Sequence, residues 1–320
     1  MIIEDRVYGR MEVNEPVLLE LLGAPSMLRL KRISQFGVPD KYYHFKNFYR
    51  YEHSIGVMLL LKKLGADLKE QVAGLLHDVS VLAFSHVGDW IFGRAREGNE
   101  DYHEIFHGKF IENTEISEIL DKHGFTPGEI SDLESFSLLD SKVPDLCADR
   151  VDYALREFKY RLNPAIVETC ISGLINFDGE MVFNNQKSAY EFAKNFLELQ
   201  FGNWASLETS IRYHLFSTAL KIAIDKGYVT KPDFYKDEDF ILNKIEEHHD
   251  KEILDLFDNL EKGNIWTYAG RPGKKVVRKF RHVDPKIKQG DNLVRLSAIN
   301  PEFKKLLEEQ REVNQEGFII

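Results

Sequence analysis

Gly74-Leu75-Leu76-His77-Asp78-Val79 is the stretch on which the fold turns. An apolar run ends on an adjacent His and Asp, a pair that core packing alone does not require. Helical patterning covers residues 68–79 and also 52–64, the latter carrying His53 within Arg50-Tyr51-Glu52-His53-Ser54. Gly65 stands between them as a C-cap, so the spacing predicts a helical hairpin. Antiparallel packing would bring His53 and His77 to one level. A further helical segment, 143–160, supplies Asp149 within Cys147-Ala148-Asp149-Arg150.

His53, His77, Asp78 and Asp149 together offer two imidazoles and two carboxylates. Such a mixed nitrogen and oxygen set suits one divalent ion, and Mn²⁺, Fe²⁺, Ni²⁺, Zn²⁺ and Mg²⁺ all satisfy it. Neighbouring helical residues point about 100° apart, so His77 and Asp78 can share an ion only above their common edge. A cation there would offset the burial of Asp78 and Asp149 among apolar neighbours. A lone His-Asp pair is usually structural, and it is the surrounding segments that give this one meaning.

Outward from the hairpin, helical spacing marks 16–22, 27–33, 87–92, 101–111, 188–201 and 204–226. Strand signals are few: 173–177 with 181–183 around the turn pair Asp178-Gly179, and 275–282 before Asp284-Pro285. The fold class is therefore mainly α with a few short accessory strands. The expected division is a helical catalytic core over 1–226 and a smaller α+β subdomain over 227–320 packed on it.

The chain has 320 residues, 43% hydrophobic and 29% charged, enough for a large core and without low-complexity tracts. No apolar run approaches the roughly 18 residues of a membrane span, and the acidic start lacks the pattern of an export signal, so a cytoplasmic protein is expected. Cys147 and Cys170 read as reduced structural thiols. A net charge of −10 argues against a surface made wholly for nucleic acid. Charge is uneven, however, with Lys274, Lys275, Arg278, Lys279 and Arg281 close together. Gly270-Arg271-Pro272-Gly273-Lys274 lacks the spacing of a phosphate loop. The segment reads as a basic hairpin whose charge is mostly solvated, with a subunit interface, an allosteric nucleotide or nucleic acid as other uses.

Several blocks, in order over the first half of the chain, resemble the HD phosphohydrolase superfamily and its deoxynucleoside triphosphate triphosphohydrolase branch. They are Asp5-Arg6-Val7-Tyr8-Gly9, the stretch from Leu28 to Gln35-Phe36-Gly37, Arg50 to Val57, and His77-Asp78 followed by Phe84-Ser85-His86 and Asp89. Tyr102-His103-Glu104 and Ala148-Asp149-Arg150-Val151-Asp152-Tyr153 complete the set. The resemblance implies an HD-domain helical core, with His53, His77, Asp78 and Asp149 as metal ligands. It implies His103, with Asp89 beside it, as proton donor to the leaving oxygen, and His86 as a further catalytic residue. It places Arg50 and Arg150 on phosphate, and Gln35 and Tyr153 at the sugar. It also implies a homo-oligomer, dimer or tetramer.

The chain departs from the branch at Val81, where the family carries another His, and the substitution predicts a more apolar pocket wall. Arg212 and Tyr213 are candidates for the family's basic and tyrosine-bearing helix. The function expected from this resemblance is hydrolysis of a nucleotide phosphate, a deoxynucleoside triphosphate first, with His103 as acid. The alternatives are a nucleoside monophosphate phosphatase, or a nucleotide sensor or nucleic-acid-binding module that does not hydrolyse. No membrane partner is expected.

Overall fold

The chain begins with an antiparallel hairpin, β1 (Ile2–Asp5) and β2 (Gly9–Glu12), where sequence patterning had marked no strand. Asp5 makes this turn, its Oδ1 accepting from the amides of Val7 and Tyr8 at 2.8 and 2.9 Å, and Gly9 takes φ of 73°. Isolated hairpins are marginal in water, so β1–β2 depends on what it packs against. The computed structural model describes residues 1–92, 106–268 and 275–319, and the side chain of Asp89 lies outside the described set, as does all of His103.

Two short helices follow, α1 (Pro16–Leu22) and α2 (Pro25–Arg29), each opening on a proline whose fixed φ suits a first helical turn. The expected hairpin is present as α3 (Arg50–Lys63) and α4 (Leu68–Leu76), turned by Gly65 at φ of 77° and started by Asp67, whose carboxylate accepts from the Glu70 amide. Helix α4 ends three residues earlier than its apolar pattern predicts. His77 is its C-cap and Asp78 lies in the turn beyond, where the Val79 and Val81 amides donate back to Leu76 and Asp78.

Helix α5 (Ser85–Phe92) starts from a turn in which Phe84 and Ser85 both have positive φ. Short helices α6 (His107–Glu112), α7 (Glu115–Lys122) and α8 (Pro127–Ser131) lead to α9 (Ala148–Arg161). The helix expected over 143–160 starts at 148 instead, with Cys147 in extended geometry at its N-cap. Next come α10 (Pro164–Gly173), strands β3 (Leu174–Phe177) and β4 (Glu180–Phe183), α11 (Gln186–Leu199) and the long α12 (Leu207–Asp225). As the turn pair predicts, Asp178 and Gly179 both take positive φ between β3 and β4.

After α12 come α13 (Glu238–Glu246) and α14 (Lys251–Glu261), which leave His248 and His249 beyond the helix end, with His248 stacked on Tyr228. The strand expected over 275–282 shrinks to β5 (Lys275–Val276). A hairpin that patterning missed, β6 (Lys286–Gln289) and β7 (Asn292–Arg295), joins β3 and β4 in one sheet of order β3-β4-β6-β7. Helices α15 (Leu296–Ile299) and α16 (Pro301–Glu316) and strand β8 (Phe318–Ile319), paired with β5, close the chain. No described helix is long and apolar enough to cross a membrane.

The buried apolar residues form two clusters. The first unites α1 to α4, α9, α11 and the start of α16; the second gathers Phe36, Tyr42, Phe84, Phe216, Phe234 and Phe257 from the 36–48 loop, α5, and α12 to α14. Residues after 226 contribute to both. Tyr153 packs against each cluster, and the seam it marks is where the functional cavity opens.

Helices α3 and α9 cross at Gly56, where a Cβ would meet Arg156 Nη2 at 1.9 Å and Asp152 Oδ1 at 2.1 Å. Gly56→Ala should lower the unfolding free energy by about 1–3 kcal/mol or more, since both neighbours are ion-paired and cannot retreat. Gly23→Ala, whose new Cβ finds its nearest atom at 3.6 Å, should change it by less than about 0.5 kcal/mol. Denaturant titration of the two variants measures the contrast.

Candidate metal centre and cavity

His53 sits on the first turns of α3 with no exposed surface, and Asp152 on α9 accepts from its Nδ1 at 2.7 Å. Since an ionised carboxylate only accepts, this bond leaves the His53 Nε2 lone pair facing the cavity side. His77 is fixed likewise: its Nδ1 donates to the carbonyl of Gly74 at 2.8 Å, leaving Nε2 to face His53 Nε2 at 3.3 Å. Asp149, in the first turn of α9, brings Oδ1 to 2.9 Å from His53 Nε2 and 3.6 Å from His77 Nε2. Asp78 Oδ2 lies 3.9 Å from His53 Nε2 and 3.6 Å from His77 Nε2.

These spacings fit a shared ion. Donors held at about 2.1 Å from one centre lie roughly 3 Å apart when adjacent and about 4 Å when opposite. The ligand atoms of His53, His77 and Asp149 all fall within 4.8 Å of one another. Two imidazoles and the Asp149 carboxylate converge, with Asp78 Oδ2 beside them and paired to Arg50, which leaves a local deficit of positive charge around His53 and Asp149. The titration behaviour reports that deficit: burial opposes a charge on His53, yet Asp149 and Asp152 overcome it and raise its pKa to about 9. Burial likewise opposes charge on Asp149, and His53 and His77 hold its carboxyl well below the usual range all the same. Asp78 is lowered too, against its burial, first by Arg50. His77 and Asp78 are not consecutive residues of one helix, so the geometry expected for such a pair does not apply; the turn after α4 swings Asp78 round instead.

Beside the four donors is a cavity of about 440 Å³, within the range that holds a small ligand. Every substrate residue expected from the sequence lines it: Gln35, Arg50, Arg150 and Tyr153. Their bonds differ. Arg50 donates to Asp78 Oδ2 at 2.7 Å and to the Gln35 carbonyl at 3.2 Å, and meets His86 Nε2 at 3.4 Å. Arg150 donates to the carbonyls of Asp145 and Ser141 at 2.5 and 3.1 Å. His86, on α5, also lines the cavity, presented by the strained Phe84–Ser85 turn that presses on Gly37, where a Cβ would stand 2.6 Å from the Phe84 carbonyl. Tyr213 lines the cavity, whereas Arg212 is a structural cation, bonded to the carbonyl of Tyr42 at 2.6 Å and to Glu208.

One expectation is corrected. Val81 does not form a wall of this cavity; it is buried in the first apolar cluster, and its carbonyl accepts from Arg29 at 2.7 Å. The wall there is polar instead, made by Ser80 and by His107, whose Nδ1 is 3.1 Å from Ser80 Oγ. Of the basic segment, residues 270–274, on which the hairpin reading rests, lie outside the described residues, while Arg278, Lys279, Phe280 and Arg281 line the same cavity. Glu157, which patterning did not single out, lines it beside Trp204; burial lifts its pKa to about 7 against donors from Trp204 at 2.5 Å and Asn203 at 2.8 Å. His107 falls within the helical segment that patterning marks over 101–111 but is not singled out. No short motif marks Glu157.

Comparison with known proteins agrees with this geometry. The HD domain family model matches residues 50–154, the span from Arg50 to just past Asp149. The "Uncharacterized protein YdhJ" of Bacillus subtilis is 33% identical over 334 residues, covering 100% of this chain and 98% of that protein. The chain belongs to the HD domain family, the HD-superfamily phosphohydrolases. "Metal-dependent phosphohydrolase cns2" of Cordyceps militaris is 41% identical over 157 residues, 49% of this chain and 45% of that one. The "Deoxynucleoside triphosphate triphosphohydrolase SAMHD1" of Gallus gallus is 29% identical over 143 residues, 38% of this chain and 23% of its own. The crystal structure of a hypothetical protein from Aquifex aeolicus shares the fold, with a TM-score of 0.67 over 98% of this chain and 99% of that one at 18% identity.

Asp152 touches no ligand but orients His53, and partners of this kind commonly govern metal affinity. Asp152→Asn should weaken divalent-metal binding roughly 10- to 100-fold in a competitive chelator titration, with helical circular dichroism retained. An unchanged affinity would remove Asp152 from the site.

Proposed function

We propose that the chain hydrolyses a nucleotide phosphate with one divalent ion held by His53, His77, Asp78 and Asp149, a deoxynucleoside triphosphate being the leading substrate. The observation that carries this reading is the convergence of His53, His77 and Asp149, with Asp78 Oδ2 3.6 and 3.9 Å from the two imidazoles, beside a cavity of about 440 Å³ lined by several charged side chains. A divalent ion in that position supplies Lewis-acid polarisation of a phosphoryl oxygen and acidifies the attacking water. The resemblance to the superfamily assigns His103, with Asp89, to protonate the leaving oxygen. His86 and His107 flank the same space, and Arg50 turns one guanidinium face towards it while holding Asp78. Gln35 and Tyr153 contact the sugar in this reading, with Tyr153 steadied edge-on by Trp204 at 5.2 Å between ring centroids. The triphosphate preference follows the resemblance to the deoxynucleotide branch, shared by the SAMHD1 relatives over their matched segments. A homo-oligomer and a cytoplasmic setting belong to the same proposal.

Metal analysis of the purified protein, followed by a panel of nucleoside tri- and monophosphates with each of Mn²⁺, Fe²⁺, Ni²⁺, Zn²⁺ and Mg²⁺, tests it. Release of inorganic triphosphate from at least one deoxynucleotide is expected, and product identity separates this from phosphomonoester cleavage. Tight nucleotide binding with no product under any metal would favour a sensor and sink the hydrolase. His103→Ala should lower kcat about 10²- to 10⁴-fold with metal content unchanged. His77→Ala should lose the metal as well.

A further inference from the structure

The part of the cavity wall that carries Gln35 and His86 is held from behind by the start of α13. Segment 234–238 runs along the turns that follow α4. The Ala83 amide donates to the Phe234 carbonyl at 2.8 Å, and Arg29 bridges the carbonyls of Val79 and Val81, at 3.0 and 2.7 Å, to that of Lys236 at 3.2 Å. Glu238, the first residue of α13, ends this segment and is only 5% exposed. Its Oε1 accepts from the Ser34 amide at 2.9 Å, its Oε2 from the Ser34 hydroxyl at 2.8 Å, and the Phe84 amide donates to the same carboxylate. Ser34 precedes Gln35, and Phe84 stands two residues before His86. One buried carboxylate therefore ties together the two segments that present these cavity side chains.

Gln35 depends on that tie. Its side-chain carbonyl oxygen is buried and accepts no hydrogen bond among the described residues, so its place is set by the backbone that carries it. That backbone is fixed by the Phe48 carbonyl at 2.9 Å, by Arg50 at 3.2 Å and, one residue earlier, by Glu238. The three donors to Glu238 are neutral, so its bonds suit an ionised carboxylate but include no cation to offset burial. Burial raises its pKa to about 7 against the bonds from Ser34 and Phe84, and Asp40 adds to the rise. The other charged or titratable groups on the elements packed around it are Arg29 and Arg32 ahead of Ser34, Tyr49, which bridges to Ser34, His86 on the turn, and Lys236, Asp237 and Asp239 beside it in sequence. Arg32 is paired to Asp237 at 3.4 Å.

We propose that Glu238 is a positioning residue for the cavity: ionised, it holds Gln35 and His86 at the wall through the backbone of Ser34 and Phe84, and protonated it lets that wall loosen. This rests on reading the cavity as the phosphohydrolase site. Protonation turns one carboxylate oxygen into a donor, so at least one of the bonds it accepts is weakened or lost. The change stays local, because Arg29 and the Ala83–Phe234 bond keep segment 234–238 in place. The wall is thus complete above neutral pH and slack below it, under the control of a residue that touches no substrate.

The test is nuclear magnetic resonance of the ¹⁵N-labelled full chain across about pH 5.5–8.5, a range that brackets the carboxyl. Signals are read at the backbone amides of Ser34 and Phe84 and at the side-chain amide of Gln35, which does not titrate itself. The two backbone amides should move downfield together as pH rises, with a shared midpoint of about 7, and the Gln35 side chain should follow at the same midpoint. In Glu238→Gln all three should be flat over this range. Ser34→Ala removes one bond to the ionised form and keeps the carboxylate, so the midpoint at Phe84 and Gln35 should rise by about half a unit or more; this variant decides the matter if Glu238→Gln does not fold. Gln35 signals indifferent to the titration of the two amides would make Glu238 a structural anchor and overturn the proposal. A titration that survives in Glu238→Gln, an unmoved midpoint in Ser34→Ala, or no titration in the natural chain would overturn it too. The signals need no turnover, so failure of the nucleotide panel removes the proposed activity while this comparison still decides Glu238.

Discussion

Arg156 is fully buried and ion-paired on every side: Asp152, Glu52 and Asp5 each lie 2.7 Å from one of its nitrogens. Burying such a group is tolerable only while all its partners are present, because a single loss strands an uncompensated charge at a cost of about 3–5 kcal/mol. The three carboxylates come from β1, α3 and α9. One side chain therefore locks the N-terminal hairpin, the first helix of the hairpin pair and the helix that carries Asp149 into a single arrangement. Asp152 passes that rigidity to His53 through its Nδ1, and the metal centre is built on the result.

From this follows the role of the N-terminal block around Asp5, which is a turn whose carboxylate works twice. One oxygen closes the hairpin and the other holds Arg156. Tyr8 and Gly9 belong to the same construction, and Gly56 is needed because the α3–α9 contact at Arg156 leaves no room for a Cβ. The parts of the chain that resemble the superfamily outside the four donors are thus largely the scaffold that aims them. Local and global preferences conflict at the strained Phe84–Ser85 turn and at the donor cluster, where charged groups converge. That is the expected mark of a functional site.

The second apolar cluster has a different task. It carries α5 with His86, presents Tyr213, and lies across a seam from the first cluster, so the cavity exists because two cores meet imperfectly around Tyr153. Residues 278–281 also line the cavity, and their segment is held by contacts from the far end of the chain, with Asn314 bonded to the Arg278 carbonyl and Val276 paired with Phe318. A cavity assembled in this way takes its charge from segments that are hundreds of residues apart.

By itself the sequence determined the helical class, the α3–α4 hairpin and the turn at Asp178-Gly179, and it singled out His53, His77 and Asp149, which the fold brings together, because each rests on local periodicity, local turn chemistry or a short motif. It did not reveal where α4 stops, since an apolar pattern persists through Val79 while the chain turns at His77 to satisfy its last carbonyls. It could not place Val81 in the core rather than the cavity, nor find β1–β2 and β6–β7, whose stability comes from non-local packing instead of strand propensity. The same limit hid Glu157 and the place of Arg278 and Arg281 at the cavity. Which side of a segment faces a cavity is set by partners such as Gln200, Asn314 and Trp90, and their proximity is a property of the packed chain, decided only when distant apolar surfaces are buried together.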